Sequence, residues 1–152
     1  ALRGYTVVIG GGRYFGDAYL KDLERLAGDD ASIVFTGWVN GVDVGELMAN
    51  CALFIHPSDV EGLPITVLEA MACKRPVLVS DIPEHRELVH DRRLWFKRAN
   101  PTALAERLGE LLIDKRVRTA SVERHFKDAT TLYAWPKIAR AVERMYKNLL
   151  QE

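Results

Sequence analysis

The chain alternates short apolar segments with longer stretches of helical periodicity. The apolar segments read as strands and lie at Tyr5–Ile9, Ser32–Phe35, Ala52–His56, Pro76–Ser80 and Leu94–Phe96. Their nearly continuous apolar character is typical of parallel strands that are covered on both faces. Helical patterns lie at Asp17–Ala27, Val44–Asn50, Pro64–Cys73, near Glu84–Val89, from Asn100 onward and at Pro136–Leu150. This order predicts a doubly wound α/β fold, in which ligands lie beyond the carboxyl ends of the strands.

Composition narrows the class of protein. The 152 residues suffice for one domain, and 21 Lys and Arg balance 21 Asp and Glu, which does not favour a nucleic-acid partner. No apolar run approaches the roughly 20 residues of a membrane span, and the early first strand leaves no room for a signal peptide, so we expect a cytoplasmic protein. Cys51 and Cys73 lack metal-ligand spacing and are predicted to be buried free thiols. His85, His90 and His125 lie in charged surroundings and are predicted to be on the surface.

A glycine-rich loop, GGGRYFG, follows the first predicted strand at residues 10–16. Glycines in this position let a backbone approach a phosphate, as in dinucleotide-binding proteins. The spacing is one residue too long for that fingerprint, and the second strand ends without the acid that would hold a ribose. Both a tight turn that needs positive φ and a ligand-facing loop therefore remain open.

Two further strand ends carry candidate side chains. Trp38 lies between two glycines in FTGWVNG, residues 35–41, where it either stacks on a nucleobase or covers the sheet edge. His56 and Ser58 lie at the mouth of the third predicted strand. His56 there is either a general acid or base or a hydrogen-bonded structural residue, and the sequence leaves both readings open.

The segment EGLPITVLE, residues 61–69, keeps two carboxylates in apolar surroundings. Pro64 suits the first turn of a helix, so Glu61 lies in the preceding loop and Glu69 in the second helical turn. On a helical wheel Ile65, Leu68 and Ala72 form one apolar side, which Val67 and Met71 extend and Glu69 flanks at about 40°. We therefore expect Glu69 to be covered.

A covered carboxylate needs a partner. Lys74 or Arg75 could supply one as a structural ion pair. The alternative is a ligand, because a carboxylate can accept two hydrogen bonds from a vicinal diol such as that of a ribose. The start of the helix just before Glu69 offers free N–H groups to a phosphate, so the second reading indicates a nucleotide.

The run PSDVEGLPITVLEAMACKRPVLVSDIPEHRELV, residues 57–89, resembles the nucleotide-binding half of the retaining GT-B glycosyltransferases of family 4, also called glycosyl transferases group 1. The hallmark of that family is E-x7-E, then a small-residue helix, Pro-Val, and a short segment that ends in Glu-Leu-Val. VVIGGG, FTGWV and YAWPKIARAVERMYKNLL are similar to further blocks of the family. The matching positions of the main run are Glu61, Glu69, Ala70, Met71, Ala72, Pro76, Val77, Asp81 and Glu87.

The resemblance implies roles for individual residues. Glu61 would contact the donor hexose near the reacting centre as the catalytic candidate, and Glu69 would hold the ribose hydroxyls. The other donor-binding candidates are Gly62, Leu63 and Pro64 toward the sugar and diphosphate, Val39 and Trp38 at the base, Gly11 and Gly12 at the edge of the cleft, and His56 and Ser58.

The resemblance also implies an activity and an architecture. Family members transfer a hexose from a nucleotide diphosphate sugar to a glycan or lipid acceptor with retention at the anomeric carbon, generally without a bound metal or other cofactor. They consist of two Rossmann-like domains that face a cleft. Residues 1–152 would be the C-terminal donor domain, inactive alone, and the N-terminal acceptor domain with its usual histidine would lie outside this chain, where it could hold the enzyme at the inner face of the membrane.

Two alternatives remain open. One is a nucleotide-sugar epimerase of the same architecture, which should use more acids and histidines than this chain shows. The other is a non-catalytic nucleotide-binding module, which is favoured by the absence here of the basic Arg and Lys loop that precedes the first helix of the donor domain.

Overall fold

A computed structural model describes residues 4–11 and 17–150 of the chain. The chain divides into two compact units, Ala1–Glu46 and Leu47–Glu152. Each unit carries its own parallel strands, and the candidate carboxylates Glu61 and Glu69 both belong to the second.

The first unit contains a pair of parallel strands and a helix. Strand β1 is Val7–Gly10, helix α1 is Asp17–Ala27 and strand β2 is Ile33–Gly37. β1 pairs with β2 in parallel, and the Val7 N–H donates to the Ser32 carbonyl at 2.8 Å. Helix α2, Val42–Asn50, begins in this unit and ends in the next.

The second unit contains parallel strands in the order β3, β4, β5, with β4 in the centre. The strands are Phe54–His56, Val77–Ser80 and Trp95–Phe96. Helices α3, Ile65–Ala72, and α4, Pro83–Leu88, follow the first two of them. A 3-10 turn over Arg92–Leu94 precedes β5, and the remaining helices are α5 Pro101–Ile113, α6 Lys115–Thr119, α7 Val122–Thr131 and α8 Trp135–Leu149.

The predicted order of strands and helices is therefore confirmed up to α5, with shifts of a few residues at most boundaries. Asn100 caps α5 by accepting from the Ala103 N–H at 2.9 Å, and Pro101 takes the first helical position, as the sequence indicated. Sequence reasoning missed α6 and α7. Asp114 explains the start of α6, because its carboxylate caps this helix by accepting from the N–H groups of Arg116 and Val117.

The core of the second unit forms around β4, all four residues of which are buried. Val67, Ala70 and Met71 cover the strand from α3, and each is fully buried. The face predicted for α3 is right at Val67 and Met71 but wrong at Ile65, which is 57% exposed, and at Ala72, which is also exposed. A helix that is apolar nearly all round has no strong preference of its own, so its packing partners, α7 among them, decide which side is buried.

The histidines correct the sequence interpretation further. His85 and His125, predicted to be on the surface, are 0% and 2% exposed, and His90 is exposed as predicted. The charged neighbours in sequence were misleading, since successive residues of a helix point about 100° apart and need not share the environment of His85. The signal was present in the spacing of Ile82, His85 and Leu88, which places the imidazole on the apolar face of α4.

Two further expectations are changed by the structure. Cys51 and Cys73 are free thiols, as predicted, but are half-buried where full burial was expected. Helix α8, predicted to pack back across the domain, carries no buried residue, and Trp135 and Leu149 are 77% and 67% exposed. None of the helices in the described part of the chain has the length and apolarity needed to cross a bilayer.

Replacing Leu78 by Ala tests the central position of β4. Leu78 is 0% exposed, so the truncation should lower the free energy of unfolding by about 2–5 kcal/mol through lost burial and a residual cavity. Leu150, which is 86% exposed, provides the matched control, and Leu150→Ala should change stability by no more than about 0.5 kcal/mol. Urea denaturation followed by circular dichroism measures both; equal effects would contradict the assignment of β4 as the core strand.

The buried His125 should make stability depend on pH. Burial lowers the pKa of His125, and its Nδ1 has no hydrogen-bond partner in the described structure. The unfolded chain, with an ordinary pKa of about 6.5, therefore takes up a proton first as the pH falls, and stability should be lost below about pH 6.5. His125→Leu should reduce the loss measured by urea denaturation between pH 7.5 and 5.5, whereas exposed His90→Leu should leave it unchanged. An unaltered loss in His125→Leu would refute this explanation.

Candidate functional site

The loop between β3 and α3 carries the first candidate carboxylate. β3 ends at His56 and α3 begins at Ile65, so Ser58 and Glu61 lie beyond the carboxyl end of a parallel strand, as the fold predicts. The Ser58 hydroxyl donates to Glu61 Oε1 at 2.5 Å. His56 Nε2 lies 3.7 Å from the same oxygen, with side chains 18% and 25% exposed for His56 and Glu61. The Ser58 hydroxyl therefore restrains one carboxylate oxygen, and His56 lies beside it, while part of the carboxylate stays accessible.

His56 continues this contact into the protein. Its Nδ1 lies 3.0 Å from Nε2 of the buried His85, and the two rings meet edge to face with centroids 5.1 Å apart. His85 Nδ1 lies 2.8 Å from the main-chain oxygen of Ser80 and 3.1 Å from its hydroxyl. The Ser80 hydroxyl donates in turn to the main-chain oxygen of Ser58. We call these five residues, His56, Ser58, Glu61, Ser80 and His85, the histidine network.

The network gives His56 an unusual electrostatic setting. Burial lowers the pKa of His56, the Glu61 carboxylate acts in the opposite direction, and His85 lowers it further. Burial therefore favours the neutral form of the imidazole. Of the two readings left open by the sequence, the hydrogen-bonded one describes His56 in this structure, and its contact with Glu61 keeps it at the candidate site.

Glu69 has a different environment. Its side chain is exposed, contrary to the prediction that it would be covered, because α3 turns Val67, Ala70 and Met71 inward instead.

The alternative of a structural ion pair between Glu69 and Lys74 or Arg75 is also wrong for the described residues. Lys74 Nζ contacts both carboxylate oxygens of Glu123 at 3.1 Å, and Arg75 Nε donates to the Cys73 carbonyl. Glu69 is thus an acid on an outward helix face that it shares with Ile65.

The segment that leads into α3 is exposed at Gly62 and Leu63, whereas the donor-binding candidate Pro64 is fully buried. Pro64 occupies the N-cap position and no side chain caps this end of the helix. A Cβ built on Gly62 would meet no atom within 4 Å, and Leu63 is 46% exposed. A ligand can therefore approach the first turn of α3, where main-chain N–H groups and the helix dipole favour negative charge.

The candidates of the first unit are Gly11, Gly12, Trp38 and Val39. Gly11 has φ of +149° and donates from its N–H to the Gly37 carbonyl at 3.0 Å, which supports the interpretation as a turn that needs glycine. Gly12 lies outside the described residues, as does the rest of the glycine-rich loop up to Gly16, so its role stays a prediction. Trp38 is 63% exposed and Val39 is half-buried, so most of the indole is accessible.

Sequence reasoning missed His85 and Ser80 as parts of the site. Ser80 ends the strand next to β3, which is the position where an α/β sheet places ligand contacts, and this signal could have identified it. In residues 4–11 and 17–150, no three His, Cys, Asp or Glu side chains converge as metal ligands. The expectation that no metal is required stays a prediction.

Comparison with known proteins identifies a family and a fold. Residues 3–114 match the family model described as Glycosyl transferases group 1. An uncharacterized glycosyltransferase of Methanocaldococcus jannaschii is 33% identical over 131 residues, which are 85% of this chain and 34% of that protein. The N,N'-diacetylbacillosaminyl-diphospho-undecaprenol alpha-1,3-N-acetylgalactosaminyltransferase of Campylobacter jejuni is 37% identical over 89 residues, 57% of this chain and 24% of that enzyme. The chain thus spans about a quarter to a third of these curated relatives.

Solved structures show the same fold. The Anabaena protein HepE, in complex with UDP-glucose, matches with a TM-score of 0.79 at 22% sequence identity over 91% of this chain and 41% of that chain. At this identity the likeness establishes the fold alone, which is that of the GT-B glycosyltransferases. The α/β fold class predicted from the sequence is confirmed.

Proposed function

Because the chain belongs to the glycosyl transferases group 1 family, we propose that it binds a nucleotide diphosphate sugar as the C-terminal donor domain of a retaining GT-B glycosyltransferase of family 4. The complete protein would transfer a hexose to a glycan or lipid acceptor. The acceptor site and further counter-charge for the diphosphate would come from an N-terminal domain outside residues 1–152. In this proposal the chain alone is inactive and one half of the catalytic cleft.

The observation that carries the proposal is the contrast between the two carboxylates of E-x7-E. Glu61 is restrained by the Ser58 hydroxyl, whereas Glu69 is exposed and has no ion pair or hydrogen bond from its side chain among the described residues. A free carboxylate on a partly apolar surface is suited to accept two hydrogen bonds from the vicinal hydroxyls of a ribose. Glu69 is therefore proposed as the ribose ligand.

Glu61 is proposed to contact the hexose near the reacting centre. Ser58 and His56 both approach Oε1, and Oε2 has no hydrogen bond in the described structure. Oε2 can thus accept from a sugar hydroxyl while Oε1 holds the carboxylate in place. Preorganisation of this kind matters because a charged group that is already oriented costs no reorganisation during reaction.

The start of α3 is proposed to receive the diphosphate. Departure of the nucleotide leaves negative charge on its terminal phosphate, and the uncapped helix end and the main-chain N–H groups of Gly62 and Leu63 present dipoles to such charge, whereas Pro64 has no N–H to donate. Cations from the remainder of the protein would supply further counter-charge for the diphosphate.

The first unit is proposed to hold the base. Trp38 offers an accessible indole on which a nucleobase can stack, and Val39 would form part of the pocket wall. Gly11 and Gly12 would form the edge of the cleft. These four roles follow from the family resemblance.

The comparisons support the donor and acceptor classes. HepE was crystallised with UDP-glucose, and the Campylobacter relative acts on a diphospho-undecaprenol substrate, as its name states. For this chain we propose a nucleotide-sugar donor, no metal or other cofactor, and a cytoplasmic site of action. A lipid-linked acceptor would bring the complete enzyme to the inner face of the membrane.

Product analysis of the full-length protein with a panel of nucleotide sugars tests the proposed function. We expect a hexose transferred to an acceptor with retained anomeric configuration, visible in the NMR coupling constant of the product. A free sugar isomer would instead establish the epimerase, and donor binding without any product would establish the nucleotide-binding module. Inversion at the anomeric carbon would overturn the assignment to a retaining family.

Glu69→Gln should weaken nucleotide binding with little effect on stability. A hydrogen bond to a charged group contributes about 1.5–3 kcal/mol, so affinity for the donor nucleotide should fall roughly ten- to a hundredfold. The melting temperature should stay close to that of the wild type, because the exposed carboxylate forms no ion pair among the described residues. Calorimetric titration of the full-length protein measures the affinity.

The control for this substitution is Glu123→Gln, which removes a carboxylate from the ion pair with Lys74. Because that pair is exposed, the control should alter stability by less than about 1 kcal/mol and leave nucleotide affinity unchanged. If Glu69→Gln binds nucleotide as well as the wild type does, Glu69 is not the ribose ligand.

A further inference from the structure

The histidine network contains enough fixed partners to determine where its hydrogens lie. A main-chain carbonyl can only accept, and the Ser80 carbonyl lies 2.8 Å from His85 Nδ1. The Ser80 hydroxyl cannot supply a hydrogen to Nδ1, because it donates its hydrogen to the Ser58 carbonyl. His85 Nδ1 must therefore carry a hydrogen, and in the neutral ring its Nε2 is then an acceptor.

The state of His85 determines the state of His56. His56 Nδ1 lies 3.0 Å from His85 Nε2, so an acceptor on His85 requires a hydrogen on His56 Nδ1. Ser58 gives a second argument. Its hydroxyl donates to Glu61 and can offer only lone pairs to His56 Nδ1, 3.5 Å away. The 3.0 Å contact with His85 therefore sets the tautomer, and the longer contact with Ser58 is compatible with it.

This tautomer leaves Nε2 of the neutral His56 without a hydrogen. The same atom lies 3.7 Å from Glu61 Oε1, which is also an acceptor. Two acceptors therefore stand side by side in the partly exposed region of the loop, and without a ligand only water can satisfy both. A polyol such as a hexose carries several hydroxyl donors and matches this need.

We propose that His85 is a positioning residue that holds His56 in the Nδ1–H tautomer, so that His56 Nε2 and the Glu61 carboxylate together accept hydrogen bonds from hydroxyls of the donor hexose. The proposal rests on the proposed function of Glu61 and adds His56 as a determinant of sugar specificity. It predicts selection for a hexose with a hydroxyl at the contacted position, because a deoxy analogue offers no donor to this half-buried acceptor.

Protonation would switch this site off. A proton on His56 Nε2 turns the acceptor into a donor that pairs with Glu61, and the pair then has less capacity for the sugar. Among the described residues, the titratable side chains that face His56 are Glu61 from the following loop and His85 from α4. On β3, the uncharged ring of Phe54 stacks against His56. Arg98 contacts the same loop through the Asp59 carbonyl. Since burial lowers the pKa of His56, donor affinity should be lost below about pH 6.5 and not above it.

Nitrogen-15 NMR of histidine-labelled protein tests the tautomer directly. At pH 7.5 the long-range proton–nitrogen spectrum should show the hydrogen of His56 on Nδ1 and a lone pair on Nε2. A hydrogen on Nε2 would overturn the proposal while leaving the proposed function of the chain intact. The wild-type spectrum is sufficient for this test, so the proposal can be refuted even if a variant of the buried His85 does not fold.

Two substitutions in the full-length protein separate the positioning role from a structural one. In His85→Leu, His56 should change to the Nε2–H tautomer and donor affinity should fall about tenfold. In Ser80→Ala the carbonyl that directs His85 is retained, so the His56 tautomer should stay as in the wild type. Retention of the tautomer in a folded His85→Leu variant would overturn the proposal.

The pH dependence of donor affinity completes the test. Affinity of the wild type should decline between pH 6.5 and 5, and this decline should be absent in folded His85→Leu, which has already lost the second acceptor. His90→Gln, at an exposed histidine outside the histidine network, should follow the wild type. Failure of every donor to bind at any pH would refute the proposed function itself, whereas binding without the acid decline would refute only the role of His56.

Discussion

The main-chain carbonyl of Ser80, at the end of the buried strand β4, is the point on which the site depends. A carbonyl oxygen can accept two hydrogen bonds, and that of Ser80 receives one from the Ile82 N–H at 3.0 Å and one from the His85 imidazole at 2.8 Å. That bond orients the ring of His85, which orients His56, which in turn lies against Glu61. The buried end of β4 therefore orients two imidazole rings, of which the second lies beside the Glu61 carboxylate. The Ser58 hydroxyl holds that carboxylate in place.

The two carboxylates of E-x7-E divide the work of donor binding in our proposal because their surroundings differ. Glu61 is oriented before any ligand arrives, as is useful for a group beside a reacting centre. Glu69 projects from α3 with no partner in the described structure and can adjust to a ribose. Helix packing produces this difference, since Val67, Ala70 and Met71 face the core and turn Glu69 outward.

Much of the fold and the location of the site could be predicted from the sequence. The alternation of apolar segments with helical patterns was sufficient for the parallel strands and for α1 to α5, because the period of side-chain burial is a local property. The loop with Ser58 and Glu61 was identified correctly, since ligand contacts in α/β sheets follow strand ends. The family resemblance added a proposed ligand for each carboxylate, the donor hexose for Glu61 and the ribose hydroxyls for Glu69.

Tertiary structure alone decided the face of α3 and the role of His85. An almost uniformly apolar helix can bury any side, so the exposure of Ile65 and Glu69 depends on what packs against it. His85 is 29 residues from its partner His56, and their contact exists only because β3 and β4 are neighbours in the sheet. Composition, periodicity and strand ends are read along the chain, whereas the tautomer of a histidine is set by atoms that the fold brings together.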